Sequence, residues 1–331
     1  MKIKLSVLAV LVLLIASTGL RAQQDEKSIS VPNQTVPAKK IKETNKEEWT
    51  KTWSVVVSYT TTFDSNLDHE IEPKKAFGFV PSVTAGYQAR SKRHRLRLIY
   101  GIAASRYTRS TELNRVGQYL GGAYRFSFGR WSLETEGEAI LKGTNEDRET
   151  GNQFIFTEKL GYRFNNKMRA SIYYAYRIKR FAQEDSERDS VNPMYGFKFS
   201  REFGQKLKWD IGYRYDENRA VSPRQNYVRS TYDTSLTYQL TKKDLISADA
   251  RFRPRLYERA INLGGGVRVP RRDRKYSYDF AWRRDVSDRF GFELIYGYET
   301  QNSNDADKIY RNHQAGFSIF YRWGNGEAIM P

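Results

Sequence analysis

In the last strand-length segment, Gln314 to Trp323, every second residue is apolar: Ala315, Phe317, Ile319, Tyr321 and Trp323 share one face. Gln314, Gly316, Ser318 and Arg322 share the other, with Phe320 the one apolar exception. Side chains alternate across a strand, so this period of two predicts a sheet with one apolar and one polar face. The pattern recurs upstream in about 14 segments, each long enough to cross a bilayer at a tilt. They lie near 52–62, 76–90, 95–108, 116–128, 131–143, 153–165, 167–180, 193–203, 206–216, 227–240, 245–258, 274–285, 288–300 and 312–323. The expected fold is all-β: a closed antiparallel transmembrane β-barrel with an even strand count and both termini periplasmic.

The connections between segments carry a second, independent signal. Short ones (Gly129–Arg130, Asn165–Asn166, Gly204–Gln205, Thr241–Asp244) alternate with long ones (Phe63–Lys75, Thr144–Asn152, Phe181–Asn192, Arg259–Asp273, Gln301–Arg311). Short periplasmic turns and longer extracellular loops are the mark of an outer-membrane barrel, and a soluble β-sandwich has no reason to alternate this way. Tryptophans agree with the resulting orientation. Trp53, Trp131 and Trp209 start rising strands while Trp282 and Trp323 end descending ones, which puts all five at the periplasmic interface. Tyr107, Tyr195, Tyr227, Tyr276 and Tyr298 fall at the opposite rim. Glu158 and Arg201 occupy outward positions against the pattern.

Before the strands, Lys2 and Lys4 precede an apolar core, Leu5 to Ala16, and a small-residue exit to Ala22. This reads as a cleaved signal peptide over 1–22. The polar, proline-bearing stretch 23–50 reads as a flexible periplasmic lead-in, 51–323 as the barrel and 324–331 as a short tail. The chain has no cysteine, which removes disulfides, thiolate catalysis and cysteine metal sites. Its formal net charge of +18 raises nucleic-acid binding as a function. The cations, however, alternate with apolar residues or sit in turns, and an export signal argues against a nucleic-acid partner. The partners expected are outer-membrane lipid and lipopolysaccharide, the barrel-assembly machinery and periplasmic chaperones during biogenesis, and small solutes.

With the signal peptide, the alternating strands over 51–323 and the terminal aromatic Trp323, the chain resembles porin-like outer-membrane β-barrels as a class. Tyr59 to Phe63 followed by Asp64-Ser65-Asn66 is also similar to the opening of several bacterial barrel families, including porins and barrels that assist polymer or lipoprotein export. The resemblance implies a passive diffusion channel, or else a non-conducting structural or export-assisting barrel that binds a partner. It departs from the usual ending, because Gly324 to Pro331 continue past the last aromatic.

Inward-facing charge is the functional feature to follow. The segment 131–143 projects Glu134, Glu136 and Glu138 on the polar face; 245–258 projects Arg251, Arg253 and Arg255. In a barrel of about 14 strands these rows stand six strands apart, nearly opposite across the lumen, where an acidic and a basic wall would set up a transverse field. Local ion pairing that fills the lumen is the competing arrangement. Further inward cations (Arg95, Arg97, Arg169, Arg177, Lys179, Arg283 and Arg322) tilt the interior towards anions. The reading is a channel for small anionic or zwitterionic solutes. Gly212 and Ser318 are taken as lumen positions able to accept an arginine, whereas Ile211 and Leu294 face lipid.

Catalytic signals are weak. The three histidines, His69, His94 and His313, share no metal-ligand spacing, and no nucleophile elbow or phosphate loop is present. The glycine run Gly264–Gly266 reads as a flexible outer loop. A rim hydrolase pairing His69 or His313 with Asp64, Asp68 or Asp305 is conceivable, as is a divalent cation held by Asp64, Asp68, Glu70, Asp305 and Asp307. Neither is the expectation: the chain is read as a non-enzyme with no catalytic, cofactor or metal residues and no cofactor.

Overall fold

The structure, a computed structural model, describes residues 48–67, 73–109, 114–144, 150–262 and 268–325. The expected signal peptide 1–22, nearly all of the expected lead-in 23–50, the glycine run and residues 326–331 of the tail lie outside the described residues.

Fourteen antiparallel strands close into one barrel, each paired with its sequence neighbours. In chain order they are β1 (Thr50–Asp64), β2 (Ala76–Arg90), β3 (His94–Tyr107), β4 (Arg115–Phe128), β5 (Trp131–Thr144), β6 (Thr150–Asn165) and β7 (Met168–Arg180). The second half comprises β8 (Ser190–Phe203), β9 (Leu207–Ala220), β10 (Tyr227–Gln239), β11 (Asp244–Asn262), β12 (Arg268–Asp285), β13 (Phe290–Ser303) and β14 (Tyr310–Gly324). Each expected segment has become one strand. The longest extensions, β11 and β12, run past the expected ends towards the long-loop side. The ring closes where β1 meets β14 in unbroken register from Ser54 opposite Gly324 to Asp64 opposite Gln314. Closure leaves no strand edge and satisfies every backbone ladder internally, which is what a lipid environment demands.

The burial pattern is inside-out relative to a soluble protein. Leu294, Phe317, Tyr296, Phe280 and Ile172 are exposed on the outer wall, while Asp216, Asn192, Arg229 and Arg253 are fully buried on the inner one. Parity explains every apparent exception. Phe320 points inward, where its ring packs against the guanidinium carbons of Arg283 at 4.7 Å and Arg322 at 5.1 Å. Glu158 does face outward, and the Thr135 hydroxyl of β5 donates to its carboxylate at 2.9 Å. Arg201 faces outward over the Phe203 ring at 4.6 Å, next to the short turn.

Trp53, Trp131 and Trp323 stand exposed at the short-turn end, joined by Phe128, Phe164 and Phe203. At the opposite rim the tyrosines divide between the two faces. Tyr195 and Tyr298 face outward, but Tyr107 and Tyr227 are buried on the inner face. Both share strand parity with lumen residues, so they lie near the outer rim but not on the lipid side. Tyr107 packs with Leu67 and Ala76, and Tyr227 joins the charged wall described below.

Candidate functional site

The lumen is lined by charge from β3 round to β14, and its residues divide into distinct sectors. Glu134 and Glu136 project inward from β5 amid cations of the neighbouring strands. Glu134 accepts a hydrogen bond from Arg125 of β4, lies 3.3 Å from Lys159 of β6 and 3.9 Å from Arg97 of β3. Glu136 lies 3.6 Å from Arg97 and 3.5 Å from Lys159. Glu138 continues the row one step nearer the long loops, half-buried. The acidic row is thus interleaved with three cations, and much of its charge is neutralised where it stands.

On β11 the three arginines have three different surroundings. Arg253 is 1% exposed, with Glu299 of β13 at 3.7 Å and the Ser277 hydroxyl at 3.3 Å. Glu299 also takes Lys275 at 2.8 Å and the Tyr310 hydroxyl at 2.7 Å. Arg255 donates to the Tyr257 hydroxyl at 2.7 Å and stacks on Tyr227 at 4.4 Å. Arg251 is half-buried and lines a cavity in the wall. The structure therefore keeps the acidic and basic rows on β5 and β11, and each row is first engaged with its own neighbours.

Between them runs a band that sequence reasoning only half recovered. At the long-loop end, Lys179 and Arg229 approach the Tyr227 ring at 5.9 and 5.7 Å, and Tyr227 meets Tyr257 edge-on at 5.4 Å. Arg271 covers Tyr257 at 4.3 Å and pairs with Asp273. Asp216, fully buried, accepts from Arg229 Nε at 2.9 Å and lies 3.6 Å from Arg214. Cations from β7, β10, β11 and β12 thus surround the Tyr227 and Tyr257 rings, each ring holding guanidinium groups by cation–π attraction. Arg177 and Lys179 were expected on the inner face; Arg229 and Arg271 were missed, although strand parity carries the signal, and that Tyr227 and Tyr257 separate these cations was not readable.

Midway along the same wall is a cavity of about 100 Å³, lined by Tyr173, Lys198, Gly212, Arg214, Thr231, Asp233 and Arg251. Two glycines make it. A Cβ at Gly196 would collide with the Tyr173 ring, and one at Gly212 would collide with the Asp233 carboxylate, so each accepts a side chain leaning across from the next strand. A side chain at Gly212 would therefore have to displace the Asp233 carboxylate from its place over the glycine. Ser318 is also closely engaged, buried and accepting from the Thr60 hydroxyl at 2.9 Å.

Nearer the long loops than the Glu134 cluster, the β2–β5 wall carries an apolar patch. Ala103, Tyr119 and Ile140 form an inward cluster, with Val80 and Ile99 packed against it. The lumen wall is thus cationic and aromatic over β7–β12 and partly apolar over β2–β5.

The two described histidines meet tyrosine hydroxyls and aromatic rings. His94 Nδ1 lies 2.6 Å from the Tyr124 hydroxyl at the short-turn end, and its ring stacks on Trp49. His313 faces outward, with Nδ1 2.9 Å from the Tyr296 hydroxyl. Asp68, His69 and Glu70 lie outside the described residues. Asp64 is engaged in closing the barrel, and no metal-holding group of His, Asp and Glu occurs among the described residues.

Residues 61–226, half of the chain, match the family described as "Putative MetA-pathway of phenol degradation". No curated protein matches the chain. Among solved structures, the anion-selective porin from Comamonas acidovorans is 7% identical, with 83% of this chain and 100% of that chain covered at a TM-score of 0.50. OmpT, an outer membrane protein of Vibrio cholerae, is 10% identical with 82% and 98% covered at 0.48. The TodX monoaromatic hydrocarbon channel is 6% identical with 84% and 90% covered at 0.47. At these identities the likeness is one of fold.

Proposed function

The chain belongs to the MetA-pathway phenol-degradation family, and from that premise we propose that it is an outer-membrane channel for passive diffusion of small anionic or zwitterionic solutes. The observation that carries this reading is the cation-rich band over β7–β12, in which Arg214, Arg229, Arg255 and Arg271 line the inner wall one strand after another. Charges lining a narrow lumen with low-dielectric walls raise the local concentration of counter-ions and set selectivity. Stacking on Tyr227 and Tyr257 holds the guanidinium groups against the wall.

The apolar facet around Tyr119 and Ile140 supports a refinement. A solute with a carboxylate at one end and a hydrocarbon or aromatic body at the other meets cations on one wall and apolar surface on the other. This fits a family whose description names an aromatic catabolic route. Export to the outer membrane, with lipopolysaccharide around the barrel and the assembly machinery as a transient partner, belongs to the same reading.

Planar-bilayer recording on the refolded protein tests it. The expected result is stepwise current with a reversal potential on the anion side that shrinks as salt rises. Correct insertion with no current in any salt overturns the channel reading and leaves a structural or export-assisting barrel.

A further inference from the structure

The wall cavity of β7–β11 is built from residues that face each other directly along two rungs of the sheet. On one rung Tyr173 is opposite Gly196, Gly196 opposite Arg214, and Arg214 opposite Thr231. On the next, Lys198 is opposite Gly212, Gly212 opposite Asp233, and Asp233 opposite Arg251. With the Tyr173 ring laid over Gly196 and the Asp233 carboxylate over Gly212, a notch is left whose rim carries Lys198, Arg214 and Arg251. Three cations line the notch against the Asp233 carboxylate, and Asp216 behind Arg214 is itself paired with Arg229, so the notch carries net positive charge.

A second observation points to a ligand. Thr231 is 3% exposed, lines the notch, and its Oγ1 has no hydrogen-bond partner. A buried hydroxyl left without a partner costs free energy that a bound acceptor would recover. A hydroxyl donor beside guanidinium and ammonium groups is the donor set of a carboxylate site, since charge-assisted bonds from Arg and Lys to carboxylate are short and strong. Size agrees: an apolar cavity of about 150 Å³ is known to hold benzene, so this notch takes a carboxylate with a few carbons and leaves a larger body in the lumen.

We propose that this notch is a binding site for the carboxylate group of the permeating solute, with Lys198 and Arg251 supplying charge, Arg214 and Thr231 hydrogen bonds, and Asp233 repelling multiply charged anions. The site rests on the anion-channel reading above and deepens it. A stop midway would make carboxylate flux saturable, whereas an unstructured positive lumen would pass acetate and chloride alike.

Equilibrium binding of ¹³C-acetate to the refolded protein in detergent, followed by line broadening at constant ionic strength, tests the site without requiring current. Saturable binding is expected, with the dissociation constant raised about three- to tenfold in both Lys198→Gln, which removes one cation from the rim, and Thr231→Val, which removes one hydrogen bond. Thr231→Ser, which keeps the hydroxyl, should bind as the native protein does and guards against misfolding of the valine variant. Arg163→Gln, a cation near the short turns, should leave binding unchanged. Non-saturable broadening, or an Arg163→Gln effect equal to that of Lys198→Gln, overturns the proposal. Current without saturable acetate binding defeats the site alone; acetate binding without current defeats the channel reading alone.

Discussion

Gln314 Nε2 donates to Asp64 Oδ2 at 2.8 Å across the one strand pair that joins the two ends of the sheet. Asp64 Oδ1 accepts the Asn66 N–H at 3.0 Å, and Asn312 Oδ1 accepts both that N–H at 2.9 Å and the Ser65 hydroxyl at 3.0 Å. Ser65 Oγ in turn accepts the His313 N–H at 2.7 Å. The Asp64-Ser65-Asn66 motif is therefore a clasp that ties the top of β1 to β14, and no catalytic role is needed to account for it.

Replacing Asn312 with Ala should weaken the clasp. The Ser65 hydroxyl loses its acceptor and the Asn66 N–H keeps only Asp64 Oδ1, which costs about 1 kcal/mol. Urea unfolding in lipid vesicles should show that loss, and Asp307→Ala, on an exposed loop, should show none. Equal midpoints for the two variants would remove the clasp from the stability account.

The lipid face makes a sharper demand. Leu294 is an exposed outward residue, and Leu294→Arg should cost about 2–4 kcal/mol of folding free energy if it lies near the midplane. Ile211→Arg should behave similarly. The contrasting lumen position is Ser235, which is half-buried and sits between Asp210 of β9 and Asp249 of β11. Ser235→Arg gains two carboxylate neighbours and should refold with little loss, as read by heat-modifiable gel mobility and a folding titration.

Glu158 places a carboxylate on the outer wall, with Thr135 as its hydrogen-bond donor. A charge facing lipid is costly. Glu158→Leu should therefore stabilise the folded barrel by about 1–2 kcal/mol, while Thr135→Val, which strips the carboxylate of that donor, should destabilise it. A loss of stability in Glu158→Leu would show that this carboxylate is shielded from lipid in the membrane.

Selectivity should respond unequally to the three β11 arginines. Arg251→Gln removes a cation from the open notch and should move the reversal potential towards cations; Arg253→Gln, at a fully buried guanidinium paired with Glu299, should act mainly on stability. Glu134→Gln leaves Arg97, Arg125 and Lys159 less compensated and should move the potential towards anions. Each shift should fade as ionic strength rises and the charges are screened. Reversal potentials in a salt gradient that are identical across the three variants would contradict this assignment of roles.

Much of this protein was determined by its sequence alone. The strand number, the alternation of turn and loop, and the direction of nearly every side chain follow from a period of two, which is a property of each strand by itself. Phe320 was visible as an inward aromatic from its parity, even without its arginine neighbours. Only the tertiary structure decided which strand residues stand at the same height. That registration turned Glu134 into the centre of a three-cation cluster, set Tyr227 and Tyr257 between the arginines, and brought Asp233 over Gly212. The reason is physical: one face's alternation survives when a strand slides by two residues, so parity cannot report register. Register comes from closing the whole ring at once, from the clasp at Asp64 to the last pair at Gly324.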